Sequence, residues 1–394
     1  MSRPALVVNG YSERWLRQGF CWVYPAEVVK GAAKPCTEVE LHTQQGACLG
    51  TAIADDGWIS ARRFRPDAGP IDAALLSEKL SSALALRRVV LPEQTTAWRW
   101  VHGENDGLPG IRLDMYGRWA VLSLDSASLL ALGERLVAEA RKLQDLGGVY
   151  LGWRPDPREK RDFRPPRPAG LLWGEPAPEP LVVEERGLRM GVYPGNGKDI
   201  GIYPDMRENR RFLEPLWKDR RVLNLFAHSG LFSVAAAQHG AKEVCSVDLS
   251  PRYLDWSREN FRLNGLKVEE ESFLAEDCFK VLDRYRRTGR RFDIVIADPP
   301  GHSHSGEGSW SGEKDYPRLV ASCLQVLDRG GLLVACSNLG SISPKTFQGF
   351  LEEGAKRAGR RLLMIHEGSA APDFPAALDF PESRFLKCWI CAAP

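Results

Sequence analysis

The chain has 394 residues, of which 43% are hydrophobic and 26% are charged, a composition typical of folded globular proteins. This length predicts two or three domains. The formal net charge is +2, so the overall charge does not indicate a nucleic acid partner and any basic surface must be local. No apolar run approaches the roughly 20 residues of a membrane-spanning helix, and the first ten residues do not resemble a secretory signal. We therefore expect a cytoplasmic protein.

The nine cysteines are scattered along the chain, mostly in apolar segments. An odd number of cysteines in such settings is typical of reduced thiols in the cytoplasm. Cys388 and Cys391 form a C-x-x-C motif that has no second pair and no nearby histidine cluster. We therefore expect no metal site.

Residues 1–70 are predicted to form a small β-rich module. The segments 38–41 and 48–53 have strand character, and turn residues at 55–57 end the second of them. Basic and aromatic side chains occur near the two ends of this module: Arg14, Arg17, Trp22, Arg62, Arg63 and Arg65. A small barrel with such residues is typical of RNA binding. A plain β domain with solvated charges explains the same pattern.

The next region mixes helices and strands and ends in a basic segment. Apolar residues at helical spacing predict helices over 71–94 and 129–143, with a strand-turn-strand unit over 98–124 between them. A proline-rich stretch follows a run of basic residues: Arg154, Arg158, Lys160, Arg161, Arg164 and Arg167. Such a run either follows a phosphate backbone or forms a solvated surface linker.

The most informative stretch is a predicted strand-turn-helix-strand unit. An apolar run at 222–226 predicts a buried parallel strand, Gly230 lies in the turn, and 231–239 is a predicted helix. The second strand, 244–247, is followed by Asp248. A glycine in this turn allows a ligand to approach the backbone, and an acid at the second strand end can accept both ribose hydroxyls. The unit is therefore predicted to bind a nucleoside.

The turn favours a cofactor that has no phosphate. Dinucleotide-binding turns need three glycines because the pyrophosphate lies against the helix N-terminus. Here Gly230 is the only glycine, and the other turn positions are Ala227, His228 and Ser229. This pattern favours S-adenosylmethionine (SAM). An ordinary α/β turn followed by a chance aspartate is the alternative.

Three further predicted strands, 273–275, 292–297 and 332–336, extend the pattern into an α/β fold with a Rossmann-like sheet. Ligands of open parallel sheets bind at the carboxyl ends of the strands. Five ligand-type residues fall there: Gly230, Asp248, Asp277, Asp298 and Asn338. Their coincidence favours a SAM-dependent methyltransferase.

Two of these strand ends carry more specific expectations. Asp277 is placed to accept a hydrogen bond from the adenine amino group, or else it caps the following helix. Asp298 opens an Asp-Pro-Pro motif, and Pro299 and Pro300 stiffen the backbone because proline has a fixed φ and no N–H. A rigid array of carbonyl groups beside the methyl donor suits a base that is flipped out of its stack. Before the unit, Asp205 is predicted to cap a helix that runs to Leu216.

Several motifs together resemble the bacterial 23S ribosomal RNA methyltransferases that have an N-terminal PUA domain. They span residues 198–210, 222–226, 247–250, 263–266 and 298–300, and Glu104 to Ile111 is similar to that family's middle-domain loop. The resemblance covers nearly the whole chain. It implies a PUA-like RNA-binding domain over 1–70, a small α/β domain with a basic, proline-rich linker over 71–190, and a Rossmann-like methyltransferase domain over 191–394.

The resemblance implies two alternative target atoms. One branch methylates cytosine at C5 with a nucleophilic cysteine, whose place is taken here by Asn338, while Cys336 lies two residues earlier. An extended strand separates these positions by roughly 6.6 Å. The Ser337-Asn338 pair is instead similar to the guanine-N7 half of the bifunctional 23S enzyme, and guanine N7 needs no covalent help. Guanine N7 is thus favoured, with cytosine C5 through Cys336 as the alternative.

The same resemblance implies roles for individual residues. Asp248 would hold the ribose and Asp277 the adenine. The methionine part would face Phe226 and Gly230, and the preceding segment would close the pocket with Tyr203, Asp205 and Arg207. The base would be oriented by Asp298, which also borders the cofactor, and by Pro299, Pro300 and Asn338. The chain would act on 23S RNA or a ribosome assembly intermediate. A small-molecule methyltransferase and an RNA-binding protein with a degenerate catalytic domain are the remaining alternatives.

Overall fold

The computed structural model describes residues 3–155, 164–197, 199–305 and 308–394. The chain divides into two compact units. The first comprises Met1–Val183, Val192–Ile200 and Pro372–Ser383, and the second comprises Glu184–Gly191, Gly201–Ala371 and Arg384–Pro394. Within the described ranges, no helix is long and apolar enough to cross a membrane.

The helices, numbered in chain order, are α1 (Gly10–Arg17), α2 (Ala73–Val90), α3 (Leu130–Leu143), α4 (Arg207–Leu213), α5 (Leu231–Gln238), α6 (Pro251–Leu263), α7 (Cys278–Thr288), α8 (Gly312–Val326) and α9 (Pro344–Arg357). The strands of the first half are β1 (Ala5–Val8), β2 (Trp22–Val23), β3 (Val28–Lys30), β4 (Glu38–His42), β5 (Cys48–Ala54), β6 (Ala61–Arg65), β7 (Ala97–His102), β8 (Ile111–Tyr116), β9 (Trp119–Leu124), β10 (Gly148–Trp153) and β11 (Gly170–Gly174). The strands of the second half are β12 (Leu181–Glu185), β13 (Leu188–Val192), β14 (Arg221–Leu225), β15 (Glu243–Asp248), β16 (Phe273–Ala275), β17 (Phe292–Ala297), β18 (His302–Ser305), β19 (Gly308–Ser311), β20 (Leu327–Ser337), β21 (Leu363–Gly368) and β22 (Lys387–Ala393).

The first unit contains two sheets. One has the strand order β2-β6-β5-β4-β1-β3 and is antiparallel except for the β1–β4 pair. The other has the order β11-β10-β9-β8-β7. Trp100 of β7 and Leu80 of α2 belong to one buried cluster, which packs the helix on this sheet. Arg87 of α2 is also buried, and its guanidinium pairs with both oxygens of Asp106 at 2.6 and 2.7 Å. Burying this charge is tolerated because it is paired.

The second unit is built on a seven-stranded sheet with the order β16-β15-β14-β17-β20-β22-β21. The first five strands are parallel, whereas β22 runs antiparallel to both β20 and β21. Both faces are covered: Leu223 and Val295 belong to one buried cluster, and Val222 and Ile294 belong to another. Adjacent residues of one strand thus point to opposite layers, as expected for a parallel sheet between helices. The predicted α/β fold with a Rossmann-like sheet is confirmed.

One local prediction was wrong. Asp205 does not cap a helix, because residues 204–206 form a 3₁₀ turn and the N-cap of α4 is Met206, whose side chain makes no capping hydrogen bond. The glycine- and serine-rich segment after the Asp-Pro-Pro motif contains β18 and β19, which pair as an antiparallel hairpin.

Candidate active site

The carboxyl ends of four parallel strands lie side by side in the second unit. Leu225 of β14 is in register with Val247 of β15 and with Ala297 of β17, and Ala297 is in register with Ala335 of β20. Neighbouring strands are roughly 4.8 Å apart. The residues that follow each of these four positions therefore emerge close together: Phe226, Asp248, Asp298 and Cys336.

The turn after β14 is tight and needs its glycine. Phe226 and His228 have positive φ angles of 56° and 49°, and Gly230, the N-cap of α5, has a φ of 77°. A Cβ atom on Gly230 would lie 1.9 Å from the hydroxyl oxygen of Ser257 on α6. Both the backbone conformation and the contact with α6 therefore exclude a side chain here. The missing side chain thus lets α6 pack directly against this turn.

Asp248 is oriented by two backbone N–H groups. The N–H of His228 donates to one carboxylate oxygen at 2.8 Å, and the N–H of Ser250 donates to the other at 2.9 Å. Burial raises the pKa of this carboxyl above its usual range, although both hydrogen bonds oppose the increase. A carboxylate offers about four acceptor positions, so about two remain for a ligand. They match the two hydroxyls of a ribose.

A cluster of aromatic side chains lies beside Asp248. The ring of His228 is 4.5 Å from that of Tyr253, 5.1 Å from that of Tyr203 and 6.1 Å from that of Trp256. The rings are tilted relative to one another, with interplanar angles of 49°, 54° and 86°, and together they form an aromatic wall near Asp248. Sequence reasoning selected only Tyr203 from this group. The spacing of Tyr253 and Trp256 in a helix that directly follows Asp248 was an available signal.

The other residues predicted for the cofactor have mixed environments. Asp277 caps α7, because one of its oxygens accepts hydrogen bonds from the N–H groups of Phe279 and Lys280 at 2.9 and 3.1 Å. Its second carboxylate oxygen is the one that can serve the predicted adenine contact. Arg207 is fully buried at the start of α4, whereas Tyr203 is exposed. The predicted pocket-closing segment thus contributes Tyr203 on its outer side and Arg207 on its inner side.

Asp298 has the most perturbed carboxyl group of the site. It is half-buried at the end of β17. Burial and repulsion from the Asp205 carboxylate raise the pKa of Asp298 to about 7, and the guanidinium of Arg210 opposes this increase. Arg210 is itself fixed by two hydrogen bonds of 2.6 Å to Glu185. Asp298 can therefore change protonation state near neutral pH, which is typical of functional carboxyl groups.

Buried aromatic residues hold the Asp-Pro-Pro segment. The indole N–H of Trp310 donates to the Pro300 carbonyl oxygen at 2.6 Å, and the Trp310 ring lies 5.8 Å from that of Phe226. The hydroxyl of Tyr316 donates to the Cys336 carbonyl oxygen at 2.8 Å. These contacts were missed in the sequence, because Trp310 lies in a stretch whose composition predicts a loop. They fix the ends of β17 and β20 relative to one another.

Asn338 and Cys336 differ sharply in exposure. Asn338 follows the last residue of β20 and is exposed, whereas Cys336 is fully buried and its sulfur lies 3.4 Å from that of Cys388. Burial and the neighbouring thiol raise the pKa of Cys336 well above its usual range. A thiol acts as a nucleophile through its thiolate. Cys336 therefore has neither the access nor the ionisation of a nucleophile.

A buried lysine fixes the loop that carries Asn338. Lys387 begins β22, and its ammonium donates hydrogen bonds to the carbonyl oxygens of Leu339, Ile342 and Phe385 at 2.6, 2.8 and 2.8 Å. Burial lowers the pKa of Lys387 to about 8. Three carbonyl partners satisfy the three donors of the ammonium group. This residue was not predicted, because it lies almost 50 positions beyond Asn338 in the sequence.

The predicted RNA-binding arginines belong to the first unit. Arg154 and Arg164 are exposed, and the guanidinium of Arg167 lies 3.5 Å from Glu134. The other three predicted residues, Arg158, Lys160 and Arg161, lie outside the described residues.

The described side chains fit SAM. The turn at Gly230 brings the His228 N–H to Asp248, Asp248 retains acceptor positions for two hydroxyls, and the His228 and Tyr253 rings lie nearby. None of these features requires a phosphate on the ligand. The turn after β14 has one glycine instead of the three that accommodate a pyrophosphate, so the arrangement suits an adenosine that carries an amino acid.

Comparison with known proteins supports the same cofactor. The family described as S-adenosylmethionine-dependent methyltransferase matches residues 158–384. The chain is similar to the protein named ribosomal RNA large subunit methyltransferase I from Alteromonas mediterranea, with 32% identity over 392 residues and 98% of each chain covered. The protein of the same name from Aeromonas salmonicida is 32% identical over 395 residues, again with 98% of each chain covered.

A solved structure shares the fold over nearly the whole length. The protein SMU.776, whose crystal structure contains S-adenosylhomocysteine (SAH), superposes with a TM-score of 0.89 at 24% identity and covers 98% of this chain and 99% of its own. The family match spans more than half of the chain and includes Gly230, Asp248 and Asp298. The chain therefore belongs to the S-adenosylmethionine-dependent methyltransferases, and SAM is its cofactor.

Proposed function

We propose that the chain methylates a base of large-subunit ribosomal RNA and that its target atom is guanine N7. The names of the relatives from Alteromonas mediterranea and Aeromonas salmonicida support the RNA substrate. The exposed Asn338, in the place where the resemblance puts a nucleophilic cysteine, supports N7. The buried Cys336 weighs against cytosine C5, since that chemistry needs a thiolate in contact with the base.

Guanine N7 already carries a lone pair, so the protein has mainly to position it. SAM supplies an electrophilic methyl group, which becomes bonded to N7 as its bond to sulfur breaks and SAH is left. Asp298 would accept a hydrogen bond from an N–H group of the guanine base. The Asn338 amide would bind a second polar atom on the same edge of that base. Pro299 and Pro300 would keep the backbone that directly follows Asp298 rigid. These roles use one carboxylate and one amide and no covalent intermediate.

We also propose roles for the two regions that precede the methyltransferase domain. Residues 1–70 would form a PUA-like RNA-binding domain and residues 71–190 the middle domain, with residues 191–394 as the methyltransferase domain. On α1, Tyr11, Arg14 and Trp15 occupy one helical face together with the C-cap residue Gln18, and all four are exposed, with Tyr11 at 65% and Trp15 at 39%. Aromatic rings next to an arginine suit an unpaired RNA base.

The aromatic surface continues beyond α1. The Trp15 ring lies 6.4 Å from that of Phe20, which is 5.7 Å from that of Trp22, and Trp22 is 6.4 Å from Tyr24. The exposed Arg154 and Arg164 add positive charge to the same unit. Replacing Trp15 with Ala should weaken RNA binding by about tenfold, because stacking contributes roughly 1–3 kcal/mol per base. Leu378→Ala, which truncates another exposed apolar side chain, is the matched control.

The deciding experiment identifies the product. Purified protein is incubated with unmodified large-subunit RNA and isotopically labelled SAM, and the RNA is digested to nucleosides for mass spectrometry. Labelled 7-methylguanosine is expected. Labelled 5-methylcytidine would refute guanine N7 as the target atom and would indicate that a cysteine thiol takes part in the reaction. If no base is labelled on naked RNA or on assembly intermediates although SAM binds, the RNA substrate itself is wrong.

A further inference from the structure

The outer edge of the seven-stranded sheet is unusually apolar. Its last strand, β21, pairs with β22 on one side, and the described residues place no strand on the other side. Three consecutive large side chains of β21 are exposed: Leu363 at 41%, Met364 at 52% and Ile365 at 47%. An open strand edge presents unpaired backbone groups, and natural proteins usually protect it with charge, by shortening it or by covering it.

The opposite edge of the same sheet is protected in the usual way. That edge strand, β16, spans only Phe273–Ala275. β21 is twice as long, and no charged residue interrupts its apolar segment. A bulge between Met364 and His366 leaves Ile365 outside the register with β22. The bulge bends the strand, but it neither covers nor charges the exposed side chains.

When two copies of the segment around Met364 are aligned antiparallel, the residues that face one another are complementary. If two copies of the segment 361–367 pair antiparallel with Met364 at the centre, four pairs of residues face one another: Arg361 and Glu367, Leu362 and His366, Leu363 and Ile365, and Met364 and its own copy. Arg361 and Leu362 directly precede β21, so the pairing extends the strand by two residues. Side chains directly opposite in an antiparallel pair interact, and opposite charges there are favourable. Arg361 and Glu367 are both exposed and therefore accessible to a partner.

We propose that β21 is a self-association surface, at which two copies of the chain pair their β21 strands antiparallel about a twofold axis through Met364. The arrangement would join two seven-stranded sheets and cover the apolar segment of each. It would form two Arg361–Glu367 ion pairs, one at each end of the contact. A closed twofold contact of this kind is the commonest form of oligomer. The proposal does not depend on the substrate, because no residue of the candidate active site takes part.

Two measurements test the proposal, and the first is a charge exchange. Sedimentation velocity of the full chain at about 50 µM should give a dimer of twice the 43.9 kDa chain mass. Arg361→Glu or Glu367→Arg alone places like charges opposite one another twice, and each should weaken dimerisation by more than tenfold. The double variant Arg361→Glu/Glu367→Arg should restore the dimer. Arg262→Glu, an exposed charge reversal on α6, is the control and should leave dimerisation unchanged.

The second measurement tests the twofold axis directly. Met364→Cys places one thiol of each copy on the axis, so mild oxidation should yield a disulfide-linked dimer on a non-reducing gel. Val89→Cys, on the exposed face of α2, is the control and should stay monomeric on the gel. A wild-type chain that is monomeric at 50 µM overturns the proposal. A dimer that survives both single charge reversals, or that the double variant fails to restore, shows that β21 does not form the contact as described.

Discussion

The raised pKa of Asp298 predicts that pH will separate the binding of SAM from that of SAH. Phe226 and Asp298 emerge at the same level from neighbouring strands, so the methionine part of SAM would lie close to this carboxyl group. The sulfonium of SAM is a cation, and the sulfur of SAH is neutral. A nearby cation favours the ionised carboxylate. Binding of SAM should therefore release a proton from Asp298 near neutral pH, and binding of SAH should not.

The magnitude follows from electrostatics. A cation about 6 Å from the carboxylate, at an effective dielectric constant of about 20, stabilises the ionised form by roughly 3 kcal/mol. That energy takes the pKa of Asp298 from about 7 in the free protein to roughly 5 in the complex. Between about pH 6 and pH 8, SAM binding should then become roughly tenfold tighter. Asp248 also has a raised pKa, but the ribose that it would hold is present in both ligands, so its contribution cancels from the comparison.

Isothermal titration calorimetry with SAM and SAH at pH 6, 7 and 8 measures both affinities. Repeating the titration in two buffers with different enthalpies of ionisation counts the protons released. The Asp298→Asn variant should bind SAM with little pH dependence, whereas Asp283→Asn, which alters an exposed carboxylate on α7, should behave like the wild type. An equal pH dependence for the two ligands, or an unchanged dependence in Asp298→Asn, would refute the reasoning.

Three substitutions test other parts of the site. Cys336→Ala should leave methyl transfer within a few-fold of wild type and lower the melting temperature by roughly 2–4 °C, because it removes one buried sulfur. Gly230→Ala should weaken SAM binding at least tenfold, whereas Gly265→Ala, at φ 68° with open space around it, should show only a loss of stability. Lys387→Met should destabilise the protein by about 2 kcal/mol, because it removes the donor shared by three carbonyls, and should slow RNA methylation more than it weakens SAM binding. Lys345→Met, on the exposed side of α9, is its control.

Each of these outcomes can fail in a distinct way. A folded but inactive Cys336→Ala variant would show that this thiol takes part in the reaction. Similar SAM affinities for the two glycine variants, measured by calorimetry, would show that the backbone of the Gly230 turn does not face the cofactor. A Lys387→Met variant that loses SAM binding and RNA methylation in equal measure would show that the lysine supports the whole domain rather than the loop of Asn338.

The sheet of the second unit could be predicted because its strands are short apolar runs separated by charge. The strand predicted at 222–226 is Arg221–Leu225, and the one predicted at 292–297 is Phe292–Ala297. Buried parallel strands are easily predicted from continuous apolar runs, since both of their faces are apolar. Once these strands are predicted, their carboxyl ends place Asp248 and Asp298 at the same edge of the sheet. Local sequence is sufficient for these features because each depends on a few consecutive residues.

The remaining features depend on residues that are distant in sequence. Trp310 reaches the Pro300 carbonyl only because a hairpin, β18–β19, returns the chain. Lys387 reaches the loop after β20 only because β22 runs antiparallel beside that strand. Helix α1 was also missed, although Asn9 caps it by accepting a hydrogen bond from the Ser12 N–H at 2.9 Å. An eight-residue helix carries too few periodic positions to stand out from the surrounding strands.

The contrast between Cys336 and Asn338 shows how the end of one strand determines which side chain is exposed. Period-two alternation would give both side chains the same face if β20 continued, as the sequence alone suggests. The strand ends at Ser337, however, so the alternation no longer applies to Asn338, which turns outward while Cys336 remains in the core beside Cys388. The Lys387 ammonium holds the loop in that path. Where the strand ends therefore determines which of the two side chains is exposed, and under the proposed function the exposed amide of Asn338 would bind the base without attacking it.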